Sequence, residues 1–389
     1  MSKNNENKLV PRLRFPEFTN ENWNRKTIDE TCEILNNLRK PLTTNLREKG
    51  IYPYYGASGI IDYVKDYIFN ERLLLIGEDG AKWLAYEKTA FIAEGKYWVN
   101  NHAHVLKPIG VVDTLLENYL VKLDISPFIT GAAPPKLTLG KLKSIPVPIP
   151  ENQKEQQKIA ACLSSLDDVI NAESKKLEVL KEHKKGLLQN LFPQEGETVP
   201  KLRFKEFEDS GEWEVKELGQ ICKMQAGKFV SASEIKENYS DDLFPCYGGN
   251  GLRGYTKSNT HSGKYSLIGR QGALCGNVTL ADGTFHATEH AVVVTPEKDV
   301  DTVWLYYMLR YLNLNQYATG QAQPGLSVTN LEKVELKIPK YIAEQQKIAA
   351  CLSSLDDLIN AQSQKIETLK LHKKGLLQGL FPDVNEHNG

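Results

Sequence analysis

Glu155-Gln-Gln-Lys-Ile-Ala-Ala-Cys-Leu-Ser-Ser-Leu-Asp-Asp168 recurs without change as Glu344 to Asp357, 189 positions later. The match runs on through His183-Lys-Lys-Gly-Leu-Leu-Gln and His372-Lys-Lys-Gly-Leu-Leu-Gln, and ends at Leu191-Phe-Pro193 and Leu380-Phe-Pro382. Of the 39 positions from Glu155 to Pro193, 32 are identical in the second copy. Upstream, Val-Pro-Arg-Leu-Arg-Phe-Pro-Glu-Phe at 10–18 returns at 199–207 as Val-Pro-Lys-Leu-Arg-Phe-Lys-Glu-Phe with the same offset, each copy followed by a tryptophan, Trp23 and Trp213. Between these anchors the halves diverge over a shared skeleton. Pro53-Tyr-Tyr-Gly56 parallels Pro245-Cys-Tyr-Gly248, and Ile76-Gly-Glu-Asp-Gly-Ala81 parallels Ile268-Gly-Arg-Gln-Gly-Ala273. Gly131-Ala-Ala-Pro-Pro-Lys-Leu parallels Gly320-Gln-Ala-Gln-Pro-Gly-Leu. A self-match at one fixed period is the signature of duplication. Uniform drift would spread the differences evenly. Here near-identity sits beside wide divergence, so two segments meet the same kind of partner and two domains each meet something different.

Periodicity makes the near-identical segments helices. Ile159, Leu163, Leu166, Ile170, Leu177, Leu180, Leu187 and Leu191 form a heptad stripe broken by Glu173 and Lys184. Ile348, Leu352, Leu355, Ile359, Ile366, Leu369, Leu376 and Leu380 repeat it, with breaks at Gln362 and Lys373. Pro150 and Pro339 precede the helices, Asn152 with Glu155 makes a capping pair for the first, and Phe-Pro closes each. Each helix spans about 37 residues, roughly 55 Å. One narrow apolar stripe needs a partner. With a whole domain between the copies, an antiparallel pair is expected.

The regions 20–150 and 210–340 are rich in Gly, Pro, Tyr and β-branched residues. Leu73–Ile76, Tyr265–Ile268 and Ala291–Val294 read as strands, Leu115–Leu123 and Val303–Leu312 as helices, and Tyr55–Gly59 and Tyr247–Gly251 as tight glycine turns. The fold class is α+β: two α/β domains with curved antiparallel cores, joined by two long antiparallel helices of coiled-coil type in a pseudo-two-fold tandem repeat. The expected division is a disordered 1–9, a first domain 10–150, a first helix segment 151–193, a second domain 194–340, a second helix segment 341–382 and a tail 383–389.

The chain has 389 residues, 48 Lys+Arg against 49 Asp+Glu and a formal net charge of −1. Residues 21–150 hold 16 basic and 15 acidic groups, and 210–339 hold 12 and 14. Neither domain is basic, so tight binding of nucleic acid by bulk charge is not expected of this chain alone. The six cysteines form no C-x-x-C pair. The polar N-terminus does not read as a signal peptide, and no apolar run is long enough to span a membrane. A cytoplasmic protein is expected.

Catalytic signatures are missing. Gly227-Lys228 is followed by Phe229 rather than Ser or Thr, and there is no G-x-S-x-G, no H-E-x-x-H and no [N/D]-P-P-[Y/F]. Glu78-Asp79 is a carboxylate pair, but the matching place in the second half is Arg270-Gln271. Positions that change their hydrogen-bonding character suit recognition better than catalysis. His102, His104 and His290 lack partner ligands at matching spacing in both copies, so no metal site is expected. An enzyme acting on nucleic acid, or a protein adaptor without DNA contact, are the competing classes.

With its tandem layout, the Leu-Arg-Phe…Glu-Phe…Trp openings, the Gly-Ala-Ala-Pro-Pro-Lys-Leu stretch and the Ile-Pro-Val-Pro-Ile-Pro-Glu…Glu-Gln-Gln-Lys-Ile-Ala helix start, the chain resembles the DNA-specificity (S, or HsdS) subunit of type I restriction–modification systems over about residues 10–382. The resemblance implies two target-recognition domains, each reading one half of a bipartite double-stranded DNA site, and helices that set the gap between halves. It implies docking of two methyltransferase (M) subunits and, in the full complex, two restriction (R) subunits, with no chemistry in this chain. S-adenosylmethionine belongs to M, and ATP and Mg to R, so this chain itself carries no cofactor. Major-groove readout calls for Arg or Lys on guanine and Asn or Gln on adenine. The DNA-binding candidates are Asn36, Asn37, Arg39, Lys40 and Lys82 in the first domain, and Gln225, Lys228, Arg253, Arg270 and Gln271 in the second.

Overall fold

The computed structural model describes residues 9–272, 274–320 and 324–383. The expected disordered segment 1–9 and the tail 383–389 therefore lie, apart from Leu9 and Asp383, outside the described residues, as do Ala273 and Gln321 to Gln323 of the paired motifs. The chain divides into two compact units, 1–174 with 364–389, and 175–363. Each unit owns one variable region, the first half of one long helix and the second half of the other.

In the first unit a four-stranded sheet runs Cys32–Ile34, Ala103–Pro108, Leu73–Gly77, Ala90–Ala93, all neighbours antiparallel. Leu73, Leu74, Leu75 and Ile76 are fully buried. Leu74 and Ile76 share a core with Leu115, Leu116 and Tyr119 of the helix Asp113–Lys122. Leu73 and Leu75 pack with Phe69, Tyr97 and Val99 of a second sheet. A strand covered on both faces must be apolar throughout, which is why this run does not alternate. The second sheet runs Gly59–Val64, Lys49–Gly56, Lys96–Val99, Phe69–Asn70. Trp23–Thr27 pairs with Pro146–Pro150, bringing the two ends of the region together just before the first long helix.

The second unit repeats the plan. One sheet runs Cys222–Ala226, Ala291–Pro296, Tyr265–Gly269, Val278–Ala281, and the other Gly251–Thr256, Phe244–Gly248, Thr284–Ala287, His261–Ser262. Glu214–Glu217 pairs with Glu335–Ile338. Asp301 caps the helix Thr302–Tyr311 by accepting from Val303 and Trp304 N–H. The cores are not wholly antiparallel. Tyr54 and Tyr55 pair in parallel with Trp98 and Val99, and Cys246 and Tyr247 with His286 and Ala287. A parallel neighbour needs a crossover rather than a hairpin, and two strands of the other sheet, Leu73–Gly77 with Ala90–Ala93 and Tyr265–Gly269 with Val278–Ala281, lie within it in the two units.

Both expected glycine turns close hairpins, with Gly59 at φ 131° and Gly251 at φ 86°. A different requirement holds Gly269, where the strand end presses on the hairpin turn: a Cβ there would lie 1.8 Å from the Gly249 carbonyl oxygen. Gly269→Ala is expected to cost about 3 kcal/mol of the second unit's stability in a denaturant titration. Gly375→Ala, at a helical position with nothing within 4 Å, is expected to gain about 0.5–1 kcal/mol.

The long helices are Gln153–Asn190 and Ile342–Leu380. They pair antiparallel. In the first unit Lys373 meets Asp167 at 2.6 Å and Lys365 meets Glu173 at 2.5 Å; in the second, Lys184 meets Asp356 at 2.5 Å. The lysines that interrupt the stripe are thus the residues that tie the helices. The stripe itself has two uses. Ile159 and Leu163 join the core of the first domain, and Ile348 and Leu352 that of the second. Leu355 and Ile366 are also buried, whereas Leu166, Ile170, Leu177, Leu180, Ile359 and Leu369 are half-buried. Leu187 and Leu376 are half-buried and pack at the edges of the two large cores. Asn152 accepts from Lys154 N–H at 2.9 Å, but Glu155 does not complete a capping pair; its carboxylate is engaged elsewhere.

Candidate nucleic-acid interface

The segment following the central strand Leu73–Gly77 is held on both sides by backbone. Glu78 N–H donates to the His102 carbonyl at 2.8 Å, and Leu137 N–H to the Glu78 carbonyl at 2.8 Å. Asp79 forms an isolated bridge with Lys136, which bridges Thr130 in turn. After Tyr265–Gly269 the frame recurs. Arg270 N–H donates to the His290 carbonyl at 3.0 Å and Leu326 N–H to the Arg270 carbonyl at 2.8 Å. Gln271 bridges Gly325, which bridges Thr319. So Lys136-Leu137 and Gly325-Leu326, at the ends of the two paired stretches, clamp 78–79 and 270–271.

On this common frame the side chains differ in chemistry. In the first unit they neutralise one another. Arg39 donates to Glu78 at 2.7 Å and to the Ala103 carbonyl at 2.7 Å. Lys136 Nζ lies 3.0 Å and His102 Nδ1 2.5 Å from the Asp79 carboxylate. Burial pushes the Asp79 carboxyl up, but Lys136 and His102 outweigh it and hold it below the ordinary range. His104 is buried, donating from Nε2 to the Leu137 carbonyl at 2.7 Å and accepting at Nδ1 from the Asn36 carboxamide at 2.8 Å. Burial lowers its pKa and keeps it neutral. In the second unit Glu78 is replaced by Arg270, Asp79 by Gln271, Lys136 by Gly325 and, across the hairpin, Ile61 by Arg253. Arg253 and Gln271 line an open concavity of about 640 Å³ with Asn250 and His290.

The sequence candidates fall unevenly. Asn36 is committed internally, its oxygen accepting from Val105 N–H at 3.0 Å, and Arg39 is held by Glu78. Asn37, Lys40 and Lys82 are exposed. Gln225 and Lys228 are exposed near the Ala287–Ala291 turn, where Gly227 N–H donates to the Ala291 carbonyl. Arg270 is partly buried, and its Nε has no hydrogen-bond partner among the described residues. Asp79, Lys136, Asn250 and His290 were not among the candidates. The signal for them was the pairing of two short motifs that recur together in both halves. No group of three or more His, Cys, Asp or Glu suited to a metal ion occurs among the described residues, and no helix among them is long and apolar enough to cross a membrane.

A second duplicated site joins each domain to its helix. Arg14 makes a two-pronged pair with Glu155, both contacts 2.8 Å, and Trp23 Nε1 donates to the same carboxylate at 3.2 Å. Arg203, Glu344 and Trp213 repeat this at the same distances. Gln156 accepts from Val112 N–H at 3.0 Å, and Gln345 from Asp301 N–H at 2.8 Å. Leu13 N–H also donates to the Gly379 carbonyl, and Leu202 N–H to that of Asn190. The Leu-Arg-Phe opening therefore fastens the start of one long helix and the end of the other. Part of the near-identity of the helices is the need to make this junction twice.

Two binding modules of one frame and unlike chemistry, each locked to a common helix pair, define a tandem recognition scaffold. Comparison with known proteins agrees. The type I restriction modification DNA specificity domain is matched twice, over residues 20–182 and 210–371. The chain belongs to this family, that of the DNA-specificity subunits of type I restriction–modification systems. It is 49% identical over 161 residues to the type I restriction enzyme EcoprrI specificity subunit of Escherichia coli, a match covering 41% of this chain and 39% of that protein. It is 28% identical to a putative specificity subunit of Haemophilus influenzae, covering 86% and 88%. The crystal structure of the S subunit from M. genitalium superposes with a TM-score of 0.69 at 17% identity, over 97% of this chain and all of that one.

Proposed function

We propose that each domain reads one half of a bipartite double-stranded DNA site, and that the paired helices set the spacing and carry two methyltransferase subunits, to which two restriction subunits add in the full complex. The observation that carries this reading is the common backbone frame presenting carboxylates at Glu78-Asp79 and donors at Arg270-Gln271. Two modules with one frame and different chemistry suit two different half-sites. Asn37, Lys40, Lys82, Gln225, Lys228, Arg253, Arg270 and Gln271 are the proposed DNA contacts, while Asn36 and Arg39 position the first domain's loop. The near-neutral charge leaves most of the phosphate neutralisation, and hence the salt-dependent affinity, to the partner subunits. Mapping methylated adenines in the host genome, with and without this gene, is the test. One bipartite motif with one modified adenine per strand should vanish on deletion. A motif that survives deletion, or one without a gap, would rule the reading out.

A further inference from the structure

The second domain's concavity has a one-sided chemistry. Arg253 and Gln271 are exposed, and no side-chain hydrogen bond or ion pair holds either among the described residues. Asn250 is exposed and its oxygen accepts from Asn277 at 3.3 Å, so its amide nitrogen is the group left to donate. His290 is the exception, lying 3.2 Å from the Glu289 carboxylate. The place is rigid as well as donor-rich. Gln271 is bridged to Gly325 on one side, its neighbour Arg270 is bonded to His290 on the other, and Gly269 sits against the hairpin turn that carries Asn250 and Arg253. Leu252 and Leu274, 52% and 56% exposed, form an apolar rim. In the first domain Asp79, the counterpart of Gln271, is paired with Lys136 and His102, and Ile61, the counterpart of Arg253, is apolar.

Resting on the proposed DNA-reading role, we infer that this concavity reads purine edges in the second half-site, with Arg253 donating to O6 and N7 of a guanine and Gln271 pairing with N6 and N7 of a neighbouring adenine. A planar guanidinium fork matches the two acceptors of guanine, a carboxamide matches the donor and acceptor of adenine, and an apolar rim suits the methyl group of the paired thymine. The same fork also fits a backbone phosphate, and the two sources differ in what a substitution does. A phosphate contact raises affinity for every sequence alike, whereas a base contact acts at one position.

The test measures methylation by this subunit assembled with its methyltransferase subunits, on duplexes carrying each base at each specified position of both half-sites. The wild type should disfavour replacement of one guanine in the second half by about 10- to 100-fold. Arg253→Ala should reduce that preference to within about threefold, with every other position discriminated as before; Gln271→Ala should do the same at the adjacent adenine. Preserved discrimination in the first half shows that the variant is folded and assembled. An unchanged profile, or an equal loss at all positions as expected of a phosphate contact, would overturn the inference. So would a variant whose complex assembles with an unchanged melting temperature yet methylates nothing. A wild type that shows no bipartite preference would instead overturn the DNA-reading role itself.

Discussion

Replacing Glu155 by alanine should cost the first unit about 3–5 kcal/mol. The Glu155 side chain is fully buried and that of Arg14 is 8% exposed. The carboxylate accepts two guanidinium N–H groups and the Trp23 indole N–H. Its removal strands a cation away from water with three donors unanswered. Glu344→Ala should cost the second unit the same, because Arg203 and Trp213 stand in the same geometry. Removing both charges is a different matter. Arg14→Met with Glu155→Leu should recover most of that loss, leaving about 1–3 kcal/mol for the buried Trp23 N–H that still lacks its acceptor. Urea unfolding followed by tryptophan fluorescence separates these cases. A loss below about 1 kcal/mol for Glu155→Ala would class the pair with surface ion pairs and refute its buried role.

Exchanging the first variable region for that of another family member should replace one half of the methylated motif completely and leave the other half untouched. The junction explains why such an exchange can fold. Arg14 comes from the opening that precedes the variable region, and Trp23 stands at its very start. Gln156 accepts from the backbone N–H of Val112, not from a side chain. A backbone N–H is available from any residue but proline at that place, so the domain can change its sequence without losing its seat. The exchange should keep Arg14, Trp23 and the helix segment from Gln153. Genome-wide mapping of methylated adenines reads the result, and a change in both halves of the motif would defeat the modular reading.

Much of this architecture was legible because it is local or repeated. A heptad stripe reports a helix through side-chain spacing alone, and the helices appeared over nearly the expected lengths. Leu73–Ile76 and Ala291–Val294 read as strands because short apolar runs between turns have few alternatives. Other features depended on residues far apart in the chain. Arg14 and Glu155 are 141 positions apart, and no local pattern links them. Asn36 and Arg39 looked like DNA contacts because polar residues on a short loop have the right reach. The fold brings His104 and Val105 to Asn36 and Glu78 to Arg39, and these contacts engage the Asn36 carboxamide and one Nη of the Arg39 guanidinium.

By itself, the sequence determined that this protein is a duplication, that its like segments are paired helices, and that its two domains differ in chemistry at matching positions such as Glu78-Asp79 and Arg270-Gln271. Periodicity and self-similarity carry that information without reference to distance. Tertiary structure alone decided which polar residues are spent inside and which remain available. Arg39 and Arg253 are both arginines that the sequence offers as DNA contacts, yet one is held by Glu78 and a carbonyl while the other borders an open concavity. The difference lies in what the fold places within about 3 Å of each guanidinium, and only the tertiary structure sets that separation.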